Sequence, residues 1–352
     1  MILTQCVNLD VSQHIMKTAK DPKIAKIIND CSENAKKTTN SCYFPGCKNK
    51  SINSHILQKN GILSSIATDG HLWRYQVNHF DDDLFVFKKV GINKIYTFLG
   101  FCNEHDTNLF KKIETNVINF DDYESCMQFL LRTIYNEVWL KEVVIKMLEC
   151  TRDNGNIPSN NHFLDANINE NKVGLTDLEF WENEVWKDIN TKTESFVFMW
   201  KEFSLQEFCM NAIYTYDTSD ERKKYILQHK KDMDRLSEIF ITFFPYNGKS
   251  ILIMGYHKDD EQKVKGYVNT FFKETEKRTL RKITNFALFH CETWLCSEKF
   301  YKKNFEGIEE VFPRLSEYSI QYISNERTVF DLNMFENTFR DKLSNWLKKY
   351  VG

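Results

Sequence analysis

The sequence predicts an α+β protein, in which a small zinc module precedes a larger, mainly helical domain that contains a β-hairpin. Three observations favour this fold class. Two close pairs of soft metal ligands occur near the N-terminus, Cys42 with Cys47 and Cys102 with His105. The chain has 28 Phe but only 12 Gly and 5 Pro, which favours long helices and a bulky core. The dipeptide Asn247-Gly248 lies between two apolar runs and is typical of a hairpin turn.

Composition limits the classes of function. The 352 residues can form two domains, and a net charge of −2 gives no general attraction to nucleic acid or anionic membranes. There is no apolar run long enough to span a bilayer and no signal-peptide pattern, so we expect a cytoplasmic protein without a membrane partner. Six cysteines are scattered: Cys6, Cys31, Cys126, Cys150, Cys209 and Cys291. In the cytoplasm we expect such thiols to be reduced and buried.

The sequence divides into three predicted domains. These are an N-terminal helical arm over residues 1–40, the zinc module over residues 41–116, and a mainly helical α+β domain over residues 117–352. In the arm, apolar residues recur at helical spacing and predict a helix from Asp21 to Lys37.

Two short segments predict the ligands of the zinc ion. Pro45-Gly46 makes a tight turn that can bring the thiols of Cys42 and Cys47 onto one ion. A strand over Tyr96–Leu99 leads to Cys102, and a helix that starts near His105 orients the second pair. We predict these four residues as zinc ligands, with His55 in reserve.

The segment between the two pairs allows two interpretations of His55. Ser54 can cap a helix that runs to about Ala67, or residues 51–56 form a short strand that ends on His55. The β-rich runs His71–Val77 and Leu84–Val90 then predict a hairpin.

The rest of the chain predicts mostly helices. The strongest helical pattern covers Asp121–Cys150, and the polar run Thr151–Lys172 predicts a flexible connection. The runs 196–200 and 207–216 fit either strand or helix. The remaining predicted elements are a hairpin over 239–256 and helices over 176–189, 220–235, 261–272, 279–290 and 333–350. We expect His290 and Cys291 to lie at a helix end packed under aromatic residues.

The order of these motifs resembles a known metal module. A Cys pair, a lone His, a hairpin region and a second Cys/His pair opening a helix look like the treble-clef ββα-metal module of HNH endonucleases with a structural zinc. In that family the His after the first pair is the general base, and the terminal helix holds a catalytic divalent metal. The resemblance implies that His55 is the base and that Asp106 and Asn108 face Mg²⁺ or Mn²⁺.

The resemblance therefore implies a metal-dependent nuclease that acts on DNA or RNA. The pairing of S-H-x-L-Q-K with G-F-C-x-x-H-D-x-x-L-F is also similar to uncharacterised bacterial proteins, and analogy with small prokaryotic nucleases suggests an antiviral defence role. The alternative is a non-catalytic, zinc-containing interaction or nucleic-acid-binding protein, with a protein partner on its C-terminal domain. We find no Walker loop, G-x-S-x-G, H-E-x-x-H or G-x-G-x-x-G pattern.

Overall fold

The computed structural model describes residues 22–77, 85–154, 161–216, 235–291, 293–312 and 332–350. Helices and antiparallel sheets are mixed along the chain. The chain packs into two compact units that are discontinuous in sequence. Unit 1 takes Met1–Gln58, Asn78–Leu84 and Tyr96–Glu194, and unit 2 takes Lys59–Val77, Phe85–Ile95 and Ser195–Gly352. The predicted boundaries after residues 40 and 116 stay predictions.

The described elements are named here in chain order. The helices are α1 Pro22–Thr38, α2 Asn103–Leu109, α3 Tyr123–Asp153, α4 Asn161–Thr191, α5 Glu261–Lys273, α6 Glu276–Phe289, α7 Glu298–Asn304 and α8 Phe339–Tyr350. The strands are β1 Asn53–His55, β2 His71–Val77, β3 Phe85–Gly91, β4 Thr97–Leu99, β5 Phe196–Ser204, β6 Phe208–Thr215, β7 Glu238–Tyr246, β8 Lys249–His257 and β9 Thr293–Cys296. None of the described helices combines the length and the apolar character needed to cross a membrane.

Two long helices form the framework of unit 1. The predicted helix over Asp121–Cys150 is confirmed as α3, and Asp122 caps it by accepting a hydrogen bond from the Ser125 amide at 3.1 Å. The predicted flexible connection is wrong over residues 151–153, where α3 continues, and over residues 161–172, because α4 already begins at Asn161. Its buried Leu164 and Ile168 are one helical turn apart, so even this Asn-rich stretch presents an apolar face.

Helix α1 is joined to α3 by a disulfide between Cys31 and Cys150. This corrects the expectation that both cysteines are reduced. Cys126, Cys209 and Cys291 are free and buried, as predicted, while Cys6 lies outside the described residues. The indole of Trp139 in α3 also donates a hydrogen bond to the Thr39 carbonyl at 2.9 Å, which fixes the end of α1.

A seven-stranded antiparallel sheet is the centre of unit 2, in the order β3-β2-β9-β6-β7-β8-β5. The predicted hairpin is confirmed as β7 and β8, with Asn247 and Gly248 at φ 48° and 78° in the turn. The prediction of a mainly helical domain with a hairpin missed the rest of this sheet. The two ambiguous runs form β5 and β6, which pair with the hairpin on its two sides; β6 is buried over nearly its whole length, whereas β5 is an edge strand and is mostly half-buried.

Strand β9 was not predicted from the sequence. It pairs with β2 on one side and with β6 on the other, so it joins the predicted His71–Val77 hairpin to the main sheet. Its four residues follow soon after α6, beyond the predicted helix end at His290 and Cys291. The predicted charged helix over 220–235 lies outside the described residues except for Arg235.

Candidate metal centre

The first ligand pair lies on a tight loop. The amide of Cys42 donates to the Asn49 carbonyl and the amide of Cys47 donates to the Phe44 carbonyl, both at 3.0 Å. Gly46 takes a left-handed conformation with φ 78°, which lets the chain turn within a few residues. The loop therefore brings the two thiols close together, as the Pro45-Gly46 dipeptide predicts.

The second ligand pair is attached directly to the first. Strand β4 pairs antiparallel with β1 and leads through Gly100 into Cys102, the residue before α2. The amide of Tyr43 donates to the Gly100 carbonyl at 3.0 Å, and the amide of Cys102 donates to the Cys42 sulfur at 3.2 Å. Backbone hydrogen bonds thus set the distance between the two ligand pairs.

The four predicted ligands converge. One ligand atom from each of Cys42, Cys47, Cys102 and His105 lies within 4.8 Å of the other three. The Nδ1 atom of His105 is 3.4 Å from the Cys42 sulfur and 3.2 Å from the Cys102 sulfur. Three thiolates and one imidazole form a complete tetrahedral donor set for zinc, so the cluster could bind such an ion. No other group of three or more such ligands exists among the residues that the structure describes.

The two buried thiols differ in acidity. Burial raises the pKa of Cys42 to about 11 in the metal-free chain. The backbone N–H of His105, at the start of α2, lowers the pKa of the Cys102 thiol. Because a thiolate is the ligand form, zinc binding must displace a proton from Cys42. The affinity of the cluster for such an ion would therefore fall as the pH falls.

Aromatic side chains hold the imidazole in place. The ring of Phe44 stacks on the His105 ring, with centroids 3.8 Å apart and planes 5° apart. Trp186 of α4 meets Phe44 edge-on, at 5.3 Å and 80°. This arrangement limits rotation of the imidazole and keeps its Nδ1 directed at the thiols.

A buried arginine supports the helix that carries His105. The Arg132 side chain, on α3, is almost fully buried and its guanidinium lies 4.2 Å from the Phe110 ring centroid. It bonds the Glu114 carboxylate at 2.6 Å and lies 3.9 Å from that of Asp106. No motif singles out Arg132, although its position in the helical pattern indicates that it is buried. It lies three residues after buried Phe129 and three before buried Tyr135, so it is at a core position of the helix.

The three residues that the resemblance assigns to catalysis lie outside the metal cluster. His55 is the half-buried last residue of β1, opposite Thr97 of β4, so the strand interpretation of this segment is confirmed and the helix interpretation is wrong. Asp106 is half-buried on α2, with its Oδ1 atom buried. Asn108 is exposed near the end of α2, at the edge of a groove that Lys111 and Lys112 also line.

Comparisons with known proteins do not place this chain in a family. Neither a protein-family model, nor a curated protein, nor a solved structure matches this chain.

Proposed function

We propose that Cys42, Cys47, Cys102 and His105 bind one structural zinc ion. The observation that carries this proposal is the convergence of all four donor atoms within 4.8 Å. Four protein ligands leave no open position for water or substrate, which is typical of structural rather than catalytic zinc. The loop, the β1–β4 pair and α2 then correspond to the parts of a treble-clef module.

Within this module we propose that His55 acts as the general base of a nuclease. A neutral imidazole can take a proton from the water that attacks a phosphodiester, and an unperturbed His is half-ionised near pH 6.5. The position of His55 at the end of β1 supports this role. His55 ends the strand that pairs with β4, and β4 leads into the ligand-bearing helix, which is the arrangement that the HNH resemblance requires.

Asp106 does not fit the role of a ligand to a catalytic divalent ion. Mg²⁺ takes several oxygen ligands in open, hydrated sites. Here one carboxylate oxygen of Asp106 is buried and the other lies 3.9 Å from the buried Arg132 guanidinium. The proposal therefore assigns Asp106 to positioning α2, and it takes no step through a second metal ion.

The pairing of Asp106 with Arg132 also favours a second candidate function. A zinc module whose helix carboxylate is held by a buried cation needs no catalytic metal to be stable. The chain would then be a non-catalytic interaction or nucleic-acid-binding protein, and His55 would be one residue of its binding surface.

A cleavage assay separates the two candidates. Supercoiled plasmid, single-stranded DNA and RNA are incubated with the full chain, with Mg²⁺, with Mn²⁺ or with a chelator. The proposal predicts cleavage that His55→Ala abolishes, with zinc content and unfolding transition unchanged. His162→Ala is the matched control, since His162 is exposed on α4 and lies outside the module.

Two results would overturn the nuclease proposal. One is the absence of cleavage by zinc-loaded wild-type protein on all three substrates. The other is cleavage that is equal in wild type and His55→Ala, which would point to a contaminating nuclease. Binding of a labelled oligonucleotide without cleavage would support the second candidate.

A further inference from the structure

The Cys31–Cys150 disulfide joins α1 to the long helix α3. The two cysteines are 119 positions apart in the chain, near the middle of α1 and in the last turn of α3. They share unit 1 with the metal centre, whose Cys42, Cys47 and Cys102 are free thiols. These three cysteines can bind a metal only in their reduced form. Conditions that keep them reduced therefore also favour opening of the disulfide.

The two sulfur atoms of the disulfide differ in their access to solvent. Cys31 is 3% exposed, whereas Cys150 is half-buried. A disulfide opens when a thiolate from solution attacks one sulfur and the other sulfur leaves as a thiolate. The exposed part of Cys150 therefore makes its sulfur the one that is attacked, and Cys31 is the leaving group.

The side chain of Asn154 can stabilise this leaving group. Its Nδ2 atom donates to the Cys150 carbonyl at 2.8 Å, which fixes the amide beside the disulfide. The same Nδ2 atom lies 3.6 Å from the Cys31 sulfur and 3.7 Å from the Cys150 sulfur. An N–H donor stabilises a thiolate, since a hydrogen bond to an anion is stronger than one to a neutral sulfur. The negative end of the α3 dipole disfavours a thiolate on Cys150 but not on Cys31.

The disulfide lies in the middle of the contact between α1 and α3. Helix α1 packs against α3 with one apolar face, on which Ile24, Ile28, Cys31 and Ala35 are buried. Because the bond closes a very long loop, opening it restores much conformational freedom to the chain. We therefore expect α1 to separate from α3 far more often when the pair is reduced.

The end of α1 is connected to the loop of the metal centre. The Thr39 carbonyl accepts a hydrogen bond from the Trp139 indole at 2.9 Å. The Asn40 carbonyl accepts one from the Ser51 amide at 2.7 Å. These two residues lie between α1 and the first ligand pair. A change in the attachment of α1 will therefore reach the backbone of that loop.

We propose that the Cys31–Cys150 disulfide is a redox switch that controls how firmly α1 is held against α3. The thiolate of a low-molecular-weight thiol such as glutathione attacks the Cys150 sulfur, the sulfur–sulfur bond breaks, and Cys31 leaves as a thiolate that takes up a proton. A second glutathione thiolate attacks the glutathione sulfur of the mixed disulfide, which releases Cys150 and forms glutathione disulfide. Two glutathione molecules are thus oxidised for each disulfide reduced, and the reverse steps close the pair.

Equilibration of the full chain in glutathione buffers tests this proposal under native conditions. Alkylation of free thiols with mass spectrometry measures the state of the pair, and hydrogen exchange on the same samples measures the attachment of α1. The pair should open in excess reduced glutathione and close again in glutathione disulfide. Opening should speed amide exchange over residues 22–41 at least about tenfold, while residues 123–140 stay protected.

Two variants separate the bond from its surroundings. The double variant Cys31→Ser with Cys150→Ser should show the fast exchange of residues 22–41 in both buffers, and Cys126→Ser is its control, since Cys126 is buried in unit 1 outside the pair. Asn154→Ala keeps the bond but removes the donor. It should open about threefold to tenfold more slowly than wild type, with unchanged exchange in the oxidised state.

Three results would overturn the proposal. A pair that stays closed in excess reduced glutathione would be a purely structural bond. A pair that does not close in glutathione disulfide would contradict the contact between the two cysteines. Equal exchange over residues 22–41 in the open and closed states would show that the bond does not control α1. These measurements on wild type do not depend on the folding of a variant, on bound zinc or on nuclease activity.

Discussion

The metal centre of unit 1 and the sheet of unit 2 are stabilised in different ways. Strands β1 and β4 have three residues each, with one buried residue in each strand, and none of the seven residues of α2 is buried. Strands β6, β7 and β8 are eight or nine residues long and are buried over nearly their whole length. Short elements bury too little apolar surface to fold alone. A bound ion can stabilise the first region, whereas the second needs only its own core.

Removing one ligand should have the largest effect and should act on one region alone. Cys102→Ser should abolish zinc binding, which contributes about 10 kcal/mol to folding in small zinc domains. We expect fast amide exchange over residues 42–55 and 97–109, while β6, β7 and β8 stay protected. Hydrogen exchange with mass spectrometry measures this difference.

The control for this variant is Cys126→Ser. Cys126 is buried in unit 1, and its sulfur hydrogen-bonds the Phe120 carbonyl at 3.3 Å, but it is not a member of the cluster. The Cys126→Ser variant should keep its zinc, and its amides over residues 42–55 and 97–109 should exchange as slowly as in wild type. Equal protection of residues 42–55 in wild type and Cys102→Ser would show that the module does not depend on the ion.

Truncating a core side chain of the sheet should destabilise unit 2 and leave the metal centre of unit 1 unchanged. Phe243 in β7 is completely buried and packs against the rings of Phe203 and Phe208. Phe243→Ala should lower the free energy of unfolding of unit 2 by about 3–5 kcal/mol, because it leaves a cavity. Zinc content per chain should not change. Urea unfolding followed by elemental analysis tests both statements, and loss of zinc in this variant would contradict the comparison.

Arg132 should connect the long-helix core of unit 1 to the metal centre. Arg132→Met removes the cation that faces Asp106 and Glu114 while keeping much of the side-chain volume. We expect a loss of about 2–3 kcal/mol, since it leaves the carboxylates without their buried partner. Zinc should also dissociate faster into a chelator. Zinc should leave Arg132→Met faster than it leaves Phe243→Ala. Equal rates of zinc release from the two variants would contradict a positioning role for Arg132.

The last expected effect is a pH dependence confined to unit 1. Burial raises the pKa of Glu182 in α4 to about 7 from 4.5, with Glu142 nearby adding to the effect. The folded chain therefore holds this proton more tightly than the unfolded chain does. Its contribution to stability is complete below about pH 4.5 and is lost as the pH rises through 7.

Glu182→Gln should remove this dependence. At pH 8 the variant should be more stable than wild type by about 3 kcal/mol, and at pH 4.5 the two should be nearly equal. Glu194→Gln, at an exposed position of the same unit, is the control. Unfolding by urea at the two pH values measures the difference, and a variant less stable than wild type at pH 8 would contradict the assignment.

The sequence predicts local patterns well and pairing between distant segments poorly. The Pro45-Gly46 turn and the short spacing of Cys102 and His105 indicate the four cluster residues, because each pair is set by a few neighbouring residues. The pairing that joins the two predicted hairpins into one large sheet could not be predicted in this way. Strand β9 has only four residues, and its place between β2 and β6 depends on partners more than 80 residues away in the chain. The Cys31–Cys150 disulfide likewise joins residues 119 positions apart.

The secondary structure around His55 could not be predicted from neighbouring residues alone. Its segment fits a capped helix or a strand equally well, and the choice is made by pairing with Thr97 on β4. For Arg132 the position could be predicted, but its partners could not. A charged residue at a buried helical position is visible in the sequence, but its partners Asp106 and Glu114 are brought to it only by folding.

X-ray absorption at the zinc edge, with elemental analysis of the same purified sample, tests the central claim most directly. The account predicts about one zinc per chain, with three sulfur ligands and one nitrogen ligand in the first shell. It also predicts that zinc is absent from Cys102→Ser and present in Cys126→Ser. A folded wild-type protein without metal, or a first shell made mainly of oxygen, would contradict the account.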